Sequence, residues 1–82
     1  MRIKCLFFAG AKDIVGKNEQ EFEVETNFSS EQFSDLLLSS YPELKDIWGS
    51  CILAVNLKYI DGAPITLKDG DEVAVIPPIS GG

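Results

Sequence analysis

The residues of this chain best suited to chemistry are its last ones, Ile76-Pro77-Pro78-Ile79-Ser80-Gly81-Gly82. Two prolines fix φ and stiffen the start of the segment. Two glycines close it, and without Cβ atoms they make an end narrow enough to thread a channel and to let another backbone approach closely. The α-carboxylate of Gly82 then sits at the tip of an arm. The competing reading is an ordinary frayed terminus. A short Gly-Gly motif does not decide between them.

Few other groups are placed to react. The chain has no histidine, which removes the usual general base near neutral pH and the commonest metal ligand. Ser29 and Ser30 have no base to activate them and read as helix-capping residues. Asp69, Asp71 and Glu72 lie close together, but an Asp-Gly-Asp run is turn chemistry, so no metal site is expected. Cys5 and Cys51 are too few for a disulfide framework and read as reduced thiols packed like small hydrophobes. Trp48 reads as an aromatic closing a small core. A self-sufficient enzyme is not expected from this set.

Charge narrows the partners. Thirteen acidic residues against seven basic leave a net charge of −6, the opposite of the basic footprint that nucleic acid requires. A partner with a basic docking surface fits better. The apolar run Ile3–Ala9 is interrupted by Lys4 and is far too short to span a bilayer, and it lacks the layout of a signal peptide. A soluble cytoplasmic protein with no membrane partner is the expectation.

A chain of 82 residues makes one small domain that buries roughly 60–65% of its unfolded surface, so its core must pack efficiently. Residues 2–9 read as a first strand with Ile3, Cys5 and Phe7 on the core face and Arg2, Lys4, Leu6 and Phe8 on the other. Residues 10–20 read as a polar connection holding at most one helical turn around Lys12–Val15. Glu21–Glu25 alternates acid and hydrophobe, a half-buried strand with Phe22 and Val24 inward.

Ser29 with Gln32 forms a capping box, and Phe28 with Phe33 a hydrophobic staple, so a helix should start there. Phe33, Leu36, Leu37 and Tyr41 continue its apolar stripe, and Pro42 ends it near Ser40. A second short helix should follow from Pro42, with Leu44, Ile47 and Trp48 inward and Gly49 as its stop. Cys51–Asn56 reads as a central strand, Asn56–Ile60 as a turn into a short fourth strand, and residues 61–64 as a loop. Asp69-Gly70-Asp71 is a turn before the last strand, Glu72–Ile76. Segregated strands and helix make the class α+β.

That order of elements is similar to the β-grasp, or ubiquitin-like, fold. The closing Leu67-Lys68-Asp69-Gly70-Asp71-Glu72-Val73-Ala74 and Pro77-Pro78-Ile79-Ser80-Gly81-Gly82 resemble the sulfur-carrying small subunit of molybdopterin synthase, the MoaD family. So do Leu6-Phe7-Phe8-Ala9 and Ala54-Val55-Asn56. The resemblance spans nearly the whole chain; Lys12 departs from it, standing where many relatives carry arginine. It implies a mixed four- to five-stranded sheet, one main helix across one face, a domain at 1–76 and a flexible tail at 77–82.

The resemblance also implies chemistry. An adenylating partner would consume ATP to convert Gly82 to an acyl-adenylate. A persulfide donor would supply sulfur, leaving a terminal thiocarboxylate on Gly82 that is nucleophilic without histidine. The tail, Pro77 to Gly81, would thread into the large synthase subunit, in a heterotetramer, and deliver sulfur to cyclic pyranopterin monophosphate to build the dithiolene of molybdopterin. Catalytic acids and bases would belong to the partners, and no cofactor would be bound permanently. Extended at about 3.3–3.6 Å per residue, Pro78 to Gly82 reaches on the order of 15 Å. The alternatives are a thiamine-pathway sulfur carrier and a ubiquitin-like modifier joined to targets through Gly82.

Strand parity adds a docking surface. If the first and last strands run parallel and adjacent, as in a β-grasp, Phe8 and Ile76 end on the same open face where the tail leaves. Tyr59 is a further candidate. Clustered exposed hydrophobes mark an interface, and aromatic residues often anchor one.

Overall fold

Strand β1 (Arg2–Phe7) buries Ile3, Cys5 and Phe7 and turns Arg2, Lys4 and Leu6 to the opposite face, as the two-residue period of a strand requires. It pairs antiparallel with β2 (Glu19–Glu23), Ile3 opposite Phe22. On its other side it runs parallel to β5 (Glu72–Ile76), with Cys5 opposite Val73 and Phe7 opposite Val75. Strand β5 pairs antiparallel with β3 (Ile52–Val55), and β3 with the two-residue β4 (Lys58–Tyr59). The sheet order β2-β1-β5-β3-β4 therefore puts the last strand in the middle. Parallel pairing of the first and last strands needs a long crossover, and the helices lie in it. The structure, a computed structural model, describes residues 1–60 and 64–78.

Helix α2 (Ser30–Ser40) starts at the expected capping box: the Gln32 N–H donates to Ser29 Oγ at 3.0 Å, and the Ser29 N–H to Gln32 Oε1 at 2.9 Å. Its Phe33 and Leu37 are fully buried, and Phe33 meets Phe22 edge to face with ring centroids 5.4 Å apart. After Tyr41, whose ring packs edge-on to Phe7 at 5.7 Å, a 3₁₀ turn (Pro42–Leu44) and a one-turn helix α3 (Lys45–Trp48) follow. Leu44 is fully buried, Ile47 and Trp48 pack against the core, and Gly49 caps α3. No helix among the described residues is long and apolar enough to cross a membrane.

Two expectations are corrected. Strand β1 ends at Phe7, not Ala9; Phe8 is instead the N-cap of a seven-residue helix α1 (Ala9–Val15). This is two turns in place of the single turn expected in a polar connection. Ala11 is fully buried, and Ile14 and Val15 pack against the core. Alanine carries too little apolar surface to announce a helix stripe, yet its small size lets α1 lie close against the sheet. Gly16, at φ 85°, closes the helix by donating its N–H to the Lys12 carbonyl at 2.8 Å.

The outer strands also shift. β2 begins at Glu19 because β1 is long enough to pair Leu6 with it. Val24 lies just past the strand but still donates its N–H to the Met1 carbonyl at 2.8 Å and packs on the core. β3 stops at Val55, since Asn56 (φ 50°) and Leu57 (φ 70°) form the hairpin turn. Left-handed geometry at both central residues matches the right-handed twist of the flanking strands.

The acids around Gly70 act as turn acceptors. Asp71 takes the Lys68 N–H at 2.7 Å and the Asn56 side-chain amide at 2.9 Å, while Asp69 takes the Arg2 N–H at 2.7 Å. Asn56 in turn accepts the Glu72 N–H at 3.0 Å. This network ties the β3–β4 hairpin and the start of β5 together at the end of the sheet away from the tail.

Candidate functional site

The tail leaves the sheet from its central strand. Pro77 and Pro78 follow β5 without regular secondary structure, the first half-buried and the second exposed. The sequence candidates Ile79, Ser80, Gly81 and Gly82 lie outside the described residues. The site that the structure does define is the sheet face around the tail's root.

One face of the sheet carries the helices; the other is built from the alternate residues. On that open face the register forms two apolar rows. Leu6, Ala74, Ala54 and Tyr59 lie side by side across β1, β5, β3 and β4. One level further toward the tail, Ile76 stands opposite Ile52. Phe8 extends the same row, because its N–H donates to the Val75 carbonyl at 3.3 Å and its backbone stays extended at φ −115°, ψ 152°. Phe8 is 46% exposed, Ile52 48% and Tyr59 69%, while Ile76 is half-buried between its neighbours.

Phe8, Ile76 and Tyr59 are thus brought to one face. Phe8 gets there as a helix cap and not as a strand residue, which leaves its direction unchanged because the cap is still extended. Ile52 was missed. Its own strand reads as uniformly apolar, so nothing in it separates core from surface; only pairing with Ile76 puts it on the open side.

The far half of the same face is charged. Arg2 stands opposite Glu23, and Lys4 stands between Glu21 and Glu72. Arg2 Nε lies 3.2 Å from Glu23, and Lys4 Nζ 3.5 Å from Glu19. Such exposed pairs contribute about 0–1 kcal/mol. Four carboxylates against two cations leave this half acidic, so a partner covering the face should be apolar near the tail and basic away from it.

Neither thiol is poised as a nucleophile. Burial pushes Cys5 up from 9.0 to about 12, and it also raises Cys51. Cys51 donates its S–H to the Ile47 carbonyl at 3.2 Å. Beside it, Trp48, Ile52, Tyr59 and Ile60 line a groove of about 660 Å³ between α2 and β4. The face as a whole supplies a docking platform beside a carboxylate-bearing arm, with no acid–base pair of its own.

Comparison with known proteins agrees with this architecture. The model of the ThiS family matches residues 5–82. The chain is similar to a molybdopterin synthase sulfur carrier subunit of Chlamydomonas reinhardtii, 40% identical over 83 residues and covering all of both chains. SAMP1 from Haloferax volcanii superposes with a TM-score of 0.87 over the full length of both chains at 21% identity, which identifies the fold as the expected β-grasp. A chain in the complex of subunits 1 and 2 of molybdopterin-converting factor from Helicobacter pylori 26695 superposes with a TM-score of 0.72 at 26% identity, again over the full length of both.

Proposed function

Because this chain belongs to the ThiS family, with molybdopterin synthase sulfur carrier subunits among its relatives, we propose that it is the sulfur carrier subunit of a molybdopterin synthase. The observation that carries this reading is positional. The central strand ends at Ile76, inside the apolar row of Phe8, Ile76 and Ile52, and the chain then runs through two prolines to Gly81-Gly82. A partner seated on that row receives the arm directly. The partner is the large subunit, in keeping with the two-subunit complex of the Helicobacter pylori relative.

The chemistry follows from what the chain lacks. A carboxylate is a poor electrophile because its charge and resonance oppose attack, so Gly82 must be activated. An adenylating enzyme transfers AMP from ATP to the Gly82 carboxylate, and sulfur from a persulfide donor displaces the AMP. The resulting thiocarboxylate is nucleophilic through sulfur at neutral pH, which suits a chain without histidine. Docked on the large subunit, the arm offers this sulfur to cyclic pyranopterin monophosphate, and two loaded carriers complete one dithiolene. Proton transfer belongs to groups of the large subunit.

Removing Gly82 alone tests the reading. The truncated chain should fold as the full one does, by circular dichroism, and should lose all sulfur transfer in a reconstituted synthase. Mass spectrometry of the intact native chain should show one oxygen replaced by sulfur at the C-terminus. Isopeptide adducts to lysines in place of that exchange, or transfer that survives the deletion, would overturn it. Loss of molybdoenzyme activity with intact thiamine synthesis in a deletion strain separates the two sulfur pathways.

A further inference from the structure

The groove beyond Ile52 is not used by the chemistry above. It lies between the first turns of α2 and the β3–β4 edge, is open to solvent along its length, and has a volume of about 660 Å³. Trp48, Ile52, Tyr59 and Ile60 give it an apolar floor, and Glu31 stands on its α2 wall. Ile52 and Tyr59 belong to both surfaces: they line this groove and also sit in the apolar rows of the open face. Nothing separates the two, so a partner that covers Ile76 and Ile52 arrives at the groove's mouth.

We infer that this groove is a second docking element for the large subunit, receiving an extended apolar segment of it that carries a basic side chain opposite Glu31. The inference rests on the reading that the open face docks that subunit. Charge selects the occupant. Glu31 makes no ion pair with another described residue, and the chain carries a net charge of −6, so a second copy would bring like charge against like. The shape selects a chain segment, because small molecules favour pockets that enclose most of their surface, and this one is open.

The groove contains its own reporter. Cys51 lines it and is partly accessible, whereas Cys5 is fully buried and serves as an internal reference. The full-length chain is treated with iodoacetamide with and without saturating large subunit, and alkylation of each cysteine is followed by mass spectrometry. The bound large subunit should slow Cys51 alkylation tenfold or more. Glu31→Lys should weaken binding of the large subunit about tenfold, and Glu31→Gln, which keeps the helix start neutral, by a smaller factor.

Ile76→Asp separates this inference from the reading beneath it. Full affinity in Ile76→Asp would refute open-face docking itself. Lost binding in Ile76→Asp, together with unslowed Cys51 alkylation in the wild-type complex and wild-type affinity in both Glu31 variants, would overturn the groove alone. Protection of Cys51 that grows with the chain's own concentration, without the large subunit, would assign the groove to a second copy and overturn it equally.

Discussion

Truncating Phe8 to alanine measures how much of the docking energy sits at the root of the tail. An aromatic side chain offers about 150–250 Å², and Phe8 is 46% exposed, so about 100 Å² stands free on the face. At about 25 cal/mol per Å² that area is worth about 2.5 kcal/mol if a partner covers it fully. Alanine keeps a small part of it, leaving a loss of about 2 kcal/mol, or about thirtyfold in affinity. The loss should fall mainly on the dissociation rate, read by surface plasmon resonance against the large subunit. Folding should hold, because the hydrogen bonds at Phe8 are made by its backbone: its N–H reaches Val75, and its carbonyl takes the N–H groups of Ala11 and Lys12.

The control is Leu57, the most exposed large hydrophobe at 90%. If exposure alone made an anchor, Leu57 would matter more than Phe8. But Leu57 sits in the hairpin turn beyond Val55, which pairs with Val73, and the tail leaves at the Ile52–Ile76 end. Three residues of strand, about 10 Å, separate those two levels. Leu57→Ala should therefore change affinity by less than about twofold. A larger effect from Leu57→Ala than from Phe8→Ala, with both variants folded, would refute the placement of the docking surface.

Two further predictions concern stability. Leu57 holds φ at 70°, a region that costs a non-glycine residue about 1–2 kcal/mol. Leu57→Gly removes that strain but adds unfolded-state entropy of about 0.5–1 kcal/mol, so a net gain of about 0.5–1 kcal/mol should appear in urea denaturation. Cys5 sets a pH dependence: its thiol titrates near 9.0 unfolded and at about 12 folded, so the unfolded chain loses the proton first. Stability should be flat below about pH 9 and then fall by about 1.4 kcal/mol per unit as pH rises toward 12. Urea titrations between pH 7 and 11 should show a shallower decline in Cys5→Ala than in the wild type.

Much of the fold was legible because its signals are local. The Ser29–Gln32 capping box, the Pro42 break, the Asp69-Gly70-Asp71 turn and the alternation in β1, β2 and β5 depend on residues a few positions apart, and each stands where expected. Helix α1 was illegible for a local reason too: Ala9, Gly10 and Ala11 give almost no hydrophobic contrast. Ile52 was hidden differently. In an apolar strand the face of each residue is set by its partner strand, and that partner lies more than twenty residues away.

The Pro77–Gly82 arm, the missing histidine and the acidic balance are properties of composition and order, so the sequence alone determined that Gly82 is the group to be activated and that others supply the acids and bases. Where the arm is presented was decided only by the tertiary structure. Placing β5 between β1 and β3 sets Ile76 between Phe8 and Ile52 and turns the acidic rows of β2 to the same face. Pairing register across distant strands converts residues unremarkable in sequence into a surface, because a side chain's face is a property of the sheet and not of the strand.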